Sequence, residues 1–313
     1  MAVGLFFLGG SKFASAQNKA YKSGEIFSSQ NFHYGKIEFR MLVATGSGVI
    51  SNFFTFKHGS EQASTYWEEV DIEVFGKNGA NSWQSNIFTG QGNTNLNRSE
   101  QVHQENGLGQ EYHTYTVQWK PNSITWMVDG ETVRTTIGGQ ANDIDDPTSL
   151  RFNLWNPDIP SWVGPFNENI LPVHMYVNWI KFYPWDGSSF SSTPTFEDNF
   201  DFFDTARWHK ANWTFPLNQA DFIPENVNAE NGYLVISLTK AAEIGYQGTP
   251  PEDRPFVLLG DCNQDGVVGF LDISPFIEAL TAGDTSILEA DCNQDGAVDF
   301  LDISTFIGFL TGN

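Results

Sequence analysis

Apolar and polar residues alternate with a period of two along most of residues 17–240. In "YGKIEFRMLV" (34–43), Ile37, Phe39 and Met41 are separated by Glu38 and Arg40. "GVISNFFTF", "HTYTVQWK", "SITWMVDGETV", "SLRFNLW", "MYVNWIKFY" and "GYLVISLT" share this strand character, and Gly, Pro, Asn and Asp punctuate them. Asp129-Gly130 is a hairpin signal. No long helical period intervenes, so the pattern predicts an all-β fold, an antiparallel sandwich or jelly roll. Two stretches read as linkers: Ser-rich "WDGSSFSSTPT" (185–195) and "GYQGTPPED" (245–253). Beyond them the period changes. "DCNQDGVVGFLDISPFIEALT" starts at Asp261 and returns as "DCNQDGAVDFLDISTFIGFLT" at Asp291. Each copy is a polar loop followed by apolar residues at helical spacing: Phe270, Ile273, Ile277 and Leu280, then Phe300, Ile303, Ile307 and Leu310. These predict a separate small helical module.

Charge narrows the partners. With 38 acids against 16 bases, the net charge is −22, which argues against nucleic acid or anionic lipid. Neutral polysaccharide and bound cations fit. The 10 Trp and 27 Phe exceed what a plain core needs, and sugar clefts use such rings; a β core rich in aromatics is the plainer alternative. Two cysteines, Cys262 and Cys292, exclude a disulfide scaffold but leave one bridge open. No apolar run approaches the roughly 20 residues of a membrane span. The opening "MAVGLFFLGGSKFASAQ" ends in Ala14-Ser15-Ala16, like a signal-peptide cleavage site, though it lacks a basic start. Residues 1–16 therefore read as an export segment and the chain as secreted or cell-surface, with an N-terminal strand as the alternative.

"YWEEVDIEVFG" (66–76) carries the chemistry. On a strand, Glu69, Asp71 and Glu73 share one face while Val70, Ile72 and Val74 take the other. A solvated strand face would explain acids in a row, but like charges repel and acids are poor strand formers. Retaining glycoside hydrolysis gives a reason: it needs a nucleophilic carboxylate and a protonated acid about 5–5.5 Å apart. A middle Asp can hydrogen-bond the nucleophile, and its charge would raise the neighbouring pKa.

Glu69-Val-Asp-Ile-Glu73 resembles the Glu-x-Asp-x-Glu signature of glycoside hydrolase family 16. "YGKIEFRM", "SGVISNFFTF", "QSNIFTG", "HTYTVQWKPNSITWMVDG", "RFNLW" and "VNWIKFYPW" follow in the order found in its lichenases, the endo-1,3-1,4-β-glucanases. The resemblance implies a concanavalin-like β-jelly roll over residues 17–245. It implies Glu69 as nucleophile, Asp71 as assisting residue and Glu73 as general acid/base, with no cofactor for the reaction. The uninterrupted spacing is similar to the lichenase and xyloglucan-active branches, whereas many laminarinases insert a residue. It further implies glucan contacts from Phe54, Phe56, Trp67, Gln84, Asn86, Arg151, Asn153, Trp155, Trp162 and Trp213. Arg151, Asn153 and Trp155 also alternate on one strand face, which a strand buried on both sides would not need. Phe56 departs from the Tyr usual in the family and His58 from the Asn of its permuted member, which bears on fine specificity. "FEDNFDFFDTARW" leading to "ENGYLVISLT", normally near the start of such chains, stands here at 196–239. The order resembles a circularly permuted lichenase, with 185–195 joining the permuted halves. A structural calcium at Asn178, Asn199 and the Gly232 carbonyl is implied by the resemblance alone.

In the tail, Asp261, Asn263, Asp265, Gly266 and Asp272 occupy positions 1, 3, 5, 6 and 12 of an EF-hand loop. Asp291, Asn293, Asp295, Gly296 and Asp302 repeat them. Val267 and Ala297 would offer backbone carbonyls at position 7, and Asp299 adds a carboxylate to the second loop at position 9. The pair resembles type I dockerin modules, which bind cohesin domains. That implies a linker over 246–257, a calcium module over 258–313 and a cohesin-type partner. Phe270-Leu271 and Phe300-Leu301 depart from the small polar residues usual at positions 10 and 11, so a calcium-stabilised tail without a partner stays open. The leading expectation is a secreted, monomeric endo-β-glucanase acting on mixed-linkage 1,3-1,4-β-glucan. The alternatives are a β-1,3-glucanase or xyloglucan-active enzyme, and a non-catalytic glucan-binding jelly roll.

Overall fold

The structure is a computed structural model that describes residues 14–15, 18–91, 95–253, 258–265 and 267–311. The chain forms two compact units that divide between Pro251 and Glu252. Most of the expected export segment lies outside the described residues, as does Gly266 of the first loop. Ala14 and Ser15, at the expected cleavage site, pair with Thr214 and Trp213 in a two-stranded ladder. Among the described residues no helix is long and apolar enough to cross a membrane.

The larger unit is a jelly roll of two sheets. One runs Trp208–Lys210, Tyr21–Ser28, Ser149–Trp155, Ile50–Phe56, Tyr66–Phe75 and Ser82–Gln91, and then the short strands Asn95–Arg98 and Gln101–Gln104. The other runs from Phe196–Asp198 and Tyr233–Lys240 through Val173–Pro184, Gly35–Leu42, His113–Lys120 and Ser123–Val128 to Glu131–Ile137. All these pairings are antiparallel; only Ala220–Phe222 runs parallel, beside the start of Tyr21–Ser28. The sheets join along one edge, where Thr239 and Lys240 pair with Lys22 and Tyr21.

Between the sheets the period-two apolar residues interdigitate, as two packed sheet faces require. Phe39 of one sheet meets Phe53 of the other with ring centroids 4.3 Å apart, and Phe53 meets Phe152 at 5.1 Å. Trp126 crosses the core and its indole N–H donates to the Asp71 carbonyl at 3.0 Å, pinning the acidic strand from behind. The Asp129-Gly130 turn closes Ser123–Val128 on Glu131–Ile137; both residues have positive φ (48° and 85°), as a primed hairpin turn demands.

The structure departs from the expected pattern in two places in this unit. Gly35–Leu42 alternates buried and half-exposed residues, but Ile50–Phe56 and Ser149–Trp155 are buried along both faces. Their second face forms the floor of a cleft, so its polar residues are covered without being core. The expected linker at 185–195 is a compact turn. Asp186 accepts from the Ser188 and Ser189 amides (2.7 Å each), and Trp185 packs edge-on against Phe190. Two further bonds, Ser191 N–H to Pro184 O and Thr195 N–H to Phe182 O (2.9 Å each), zip this turn onto the preceding strand. The chain thus passes straight from Val173–Pro184 into its neighbour Phe196–Asp198.

The smaller unit holds the helices Ile273–Ala282 and Asp302–Thr311. Its core is Phe276 stacked on Phe306 (3.9 Å, 10°), with Cys262, Cys292, Ala279, Ala290 and Val298. Ile273, Leu280, Ile303 and Leu310 pack against it. The expected face is therefore corrected: Phe276 and Phe306 are inside, whereas Phe270 and Phe300 are 84% and 80% exposed and Ile277 and Ile307 are also exposed. Phe270 and Phe300 lie in the loops before the helices, so helical spacing did not apply to them. Both thiols are free and buried, and desolvation pushes each up to about 12.

Candidate active site

The acidic strand Tyr66–Phe75 sits mid-sheet, where its register aligns every functional side chain. Glu69 lies between Phe56 and Phe88, Asp71 between Phe54 and Asn86, and Glu73 between Asn52 and Gln84. Directly opposed residues in an antiparallel pair share a face, so these three rows point into one cleft of about 670 Å³. Of the expected contacts, Phe54, Phe56, Trp67, Glu69, Glu73, Gln84, Asn86, Asn153, Trp155 and Trp162 line it.

Three expected residues do not line the cleft. Asp71 is 1% exposed beneath its two neighbours. Arg151 was expected to bind hydroxyls. Instead its guanidinium lies over the Phe56 ring (4.4 Å) and donates to Glu25 Oε1 at 3.1 Å and Ser149 Oγ at 3.0 Å. A buried carboxylate next door claims it, so Arg151 supports the floor. Trp213 packs on Phe27 at 5.3 Å, beside the cleft wall.

Burial raises all three acids above the usual carboxylate range. Desolvation raises Glu73 to about 8; a hydrogen bond from Gln84 (2.8 Å) opposes this, and the charges of Glu69 and Glu100 add to it. Desolvation also raises Glu69, to about 7, but a hydrogen bond from Asp71 and one from the Trp67 indole (2.7 Å) hold it below Glu73. Asp71 is raised well above the usual carboxylate range by desolvation and then by its two charged neighbours. Its Oδ2 is buried with no donor facing it; a proton of its own, given to Glu69, satisfies both. The charges of Glu69 and Glu100 are the ones that raise Glu73, and the upward shift of Asp71 favours its protonated form.

Several cleft residues escaped the sequence reading. Glu25 accepts from both Arg151 and Asn153 (3.1 and 3.0 Å). Asn52 could have been found by stepping back two from Phe54. Arg98, Glu100, Val102 and Gln104 also line the cleft. They sit on or beside the two short outer strands, whose "NLNRSEQVHQ" lacks strand character. Glu68 faces away from the cleft. Its Oε2 accepts the Asp145 and Asp146 amides (2.9 Å each), and Lys57 bridges it to Asp146 (2.7 and 2.5 Å). That ammonium pairs with two of the three neighbouring acids, Glu68 and Asp146, and the cluster latches a loop to the acidic strand.

The calcium expectations fall on two kinds of donor set. In the first tail loop Asp265 N–H faces both Asp261 Oδ1 (3.0 Å) and Asn263 Oδ1 (2.9 Å), and in the second Asp295 N–H faces Asp291 Oδ1 (3.1 Å) and Asn293 Oδ1 (2.9 Å). Oxygens from positions 1 and 3 thus converge on the amide of position 5 in each loop. Asp272 and Asp302 close the loops by accepting from the Asn263 and Asn293 amides (3.0 and 2.9 Å). Asp299 Oδ1 accepts from Leu301 N–H at 2.8 Å. These oxygen-rich loops fit calcium. In the jelly roll, the ladder of Val173–Pro184 breaks between Val177 and Trp179. Val177 pairs with Leu234 and Ile180 with Asp198, so Asn178 lies between the two partner strands, one of which is followed by Asn199 and the other preceded by Gly232. Gly232 has φ of 80°, and a Cβ there would come 3.9 Å from Asp201 Oδ1, an oxygen the sequence reading did not include.

A jelly roll with two carboxyls on one strand face of an aromatic cleft is the arrangement of a glycoside hydrolase. The chain belongs to the glycosyl hydrolases family 16, whose profile matches residues 10–181, and it carries a C-terminal dockerin type I domain at residues 259–311. It is 39% identical over 242 residues to a β-glucanase of Fibrobacter succinogenes, covering 75% of this chain and 68% of that protein. It is 32% identical over 176 residues to a Brevibacillus brevis β-glucanase, covering 55% and 64%. The chain spans about two thirds of the length of these relatives. Among solved structures it is similar to a Bacillus licheniformis β-glucanase: 32% identity, TM-score 0.44, 51% of this chain and 71% of that one.

Proposed function

We propose that the jelly roll is a retaining endo-β-glucanase that cuts β-1,4 bonds in mixed-linkage 1,3-1,4-β-glucan. The observation that carries this reading is the placement of Glu69 and Glu73 on one face of the mid-sheet strand, both lining the aromatic cleft; burial raises both carboxyls, so one can hold a proton near neutral pH. Near neutral pH Glu73 holds its proton while Glu69 ionises first. Glu69 attacks the anomeric carbon as Glu73 gives its proton to the departing glycosidic oxygen; that C–O bond breaks and a glycosyl ester forms. Glu73, now a carboxylate, takes a proton from water. The water oxygen attacks the same carbon, the ester breaks, and both acids return to their starting states. The β-glucanase relatives support the substrate class, and the uninterrupted Glu-x-Asp-x-Glu spacing supports the mixed-linkage preference. The test is reducing-sugar release from barley β-glucan, laminarin, cellulose and xyloglucan. Barley β-glucan should be cut fastest. Faster attack on laminarin or xyloglucan would replace the substrate assignment, and binding without cleavage would replace the enzymatic one.

The upward shift of Asp71 and its hydrogen bond with Glu69 yield a second prediction. Asp71→Asn keeps a donor to Glu69, so kcat should fall only about tenfold with the acid limb little changed. Asp71→Ala loses the donor, which raises the Glu69 pKa and moves the acid limb to higher pH. Identical pH profiles of kcat/KM for the two variants would show that Asp71 does not donate to Glu69.

We further infer that the chain is a permuted family member. Residues 196–239 fill edge positions of both sheets beside the first long strand, and the match to the Fibrobacter protein is longer than that to the Brevibacillus one. The two tail loops would each hold a calcium, and Asn178, Asn199 and the Gly232 carbonyl, with Asp201 near, would hold one on the jelly roll. Bound calcium would supply charge compensation and rigidity, and no catalytic step needs it. The dockerin domain supports a cohesin-type partner and a secreted or cell-surface location for a monomeric chain; pull-down with a cohesin in calcium and in EDTA tests the former.

A further inference from the structure

The strand Ile50–Phe56 sends Asn52, Phe54 and Phe56 into the cleft. The rings have an evident use against sugars. Asn52 has none in the scheme above, yet it occupies the most constrained place in the cleft floor. It is directly opposed to Glu73 on one side and to Asn153 on the other. Gln84 and Glu25 extend this cross-strand row at either end.

The row's hydrogen-bond account does not close. Gln84 Nε2 donates to Glu73 Oε2 at 2.8 Å, and Asn153 Nδ2 donates to Glu25 Oε2 at 3.0 Å. Two amide oxygens remain in the middle, Asn52 Oδ1 and Asn153 Oδ1; both are buried and neither has a donor. Asn52 is only 6% exposed. Asn is a poor strand residue, and burying an amide oxygen without a partner is unfavourable. Thr55 Oγ1 and Tyr115 OH are also buried without a partner, but these residues do not line the cleft. Asn52 lines the cleft directly opposite the residue that gives up the proton. What it lacks is a donor from outside the protein, and sugar hydroxyls are the donors a neutral polysaccharide brings.

We propose that Asn52 is a specificity-determining residue whose Oδ1 accepts a hydroxyl of the glucosyl unit lying across the Glu73 row. The proposal rests on the β-glucanase reading above. A bound hydroxyl completes the row, so Asn52 favours a sugar that presents a secondary hydroxyl there and rejects one substituted at that oxygen. A purely structural asparagine would instead lose stability on replacement.

Asn52→Ala and Asn52→Ser in the full chain are expected to lower kcat/KM on barley β-glucan about three- to tenfold, mainly through KM, with Tm unchanged or raised. Asn52→Asp keeps an acceptor oxygen and should restore most of the KM. Binding is read separately by titrating a mixed-linkage tetrasaccharide into Glu69→Gln, with and without Asn52→Ala; the second substitution should weaken Kd about three- to tenfold. That comparison does not depend on turnover. If the native chain cuts no β-glucan but the Kd ratio holds, the enzymatic reading falls and the Asn52 site stands. Kd and kcat/KM both within twofold of their parents, or losses matched by a fall in Tm of several degrees, would overturn the proposal.

Discussion

Glu69→Gln should lower kcat roughly 10⁴-fold or more while leaving the fold intact. Gln has the shape of Glu and can still accept from the Trp67 indole, so the floor of the cleft keeps its packing, but an amide cannot form the glycosyl ester. Glu73→Ala should cost about 10²–10⁴-fold on glucan, where the leaving oxygen needs a proton. It should cost far less on an aryl glycoside with a good leaving group. Azide separates the two roles. It should rescue Glu73→Ala by attacking the glycosyl ester and giving a β-glycosyl azide. With Glu69→Ala it should attack the substrate directly and give the α-anomer. An interchange of these products would reverse the assignments, and more than a few per cent of activity in Glu69→Gln would remove Glu69 from the mechanism.

The same substitution has a signature in stability. Both carboxyls have folded pKa values above the ordinary 4.5, at about 7 for Glu69 and about 8 for Glu73. The folded state therefore binds more protons than the unfolded one in this window. Stability present below about pH 4.5 is lost as pH rises toward 7 and 8. Glu69→Gln removes one of these groups, and it also takes away a charge that raises Glu73. Its Tm should fall less than that of the native protein between pH 5 and pH 8.

Strand periodicity made much of this site legible before any coordinates. Glu69, Asp71 and Glu73 had to share a face, and Arg151, Asn153 and Trp155 had to share another strand's face. The roles within those rows were not legible, because they depend on which strands become neighbours. Arg151 looked like a ligand for sugar until Glu25, far away in sequence, was placed beside it. Asp71 looked like a charge until its burial between two acids showed its carboxyl pushed upward. Arg98 and Glu100 sit on or beside strands held by the sheet edge and not by their own propensity. In the tail, the loop positions followed from oxygen spacing alone, but the buried face of the helices did not. Phe270 and Phe300 lie before the helices begin, so counting from them displaced the face.

Chelation should melt the dockerin domain and spare most of the hydrolase. No Lys, Arg or His stands between residues 258 and 313. Within each loop the acids at positions 1, 5 and 12 face one another across a few backbone amides, and without a cation their repulsion is uncompensated. The core behind them is small: Phe276 on Phe306, with two cysteines and a few aliphatic side chains. Calcium at a hundred times its Kd would add about 2.7 kcal/mol per site, a large share of the stability a core of this size can hold. The jelly roll has its own two-sheet aromatic core, so losing a calcium near Asn178 should lower its Tm by only a few degrees. Calorimetry on the full chain should show two transitions in calcium and only the jelly-roll one in EDTA, with helical circular dichroism lost and glucanase activity retained at moderate temperature. Asp299 gives the second loop one more carboxylate than the first, where Gly269 stands. Asp291→Ala should therefore weaken calcium binding more than Asp261→Ala, and Asp299→Ala should bring the two loops level. A dockerin transition that ignores EDTA would exclude calcium as its support, and equal losses from Asp261→Ala and Asp291→Ala would show that the hydrogen bond from Leu301 takes the Asp299 carboxylate out of use.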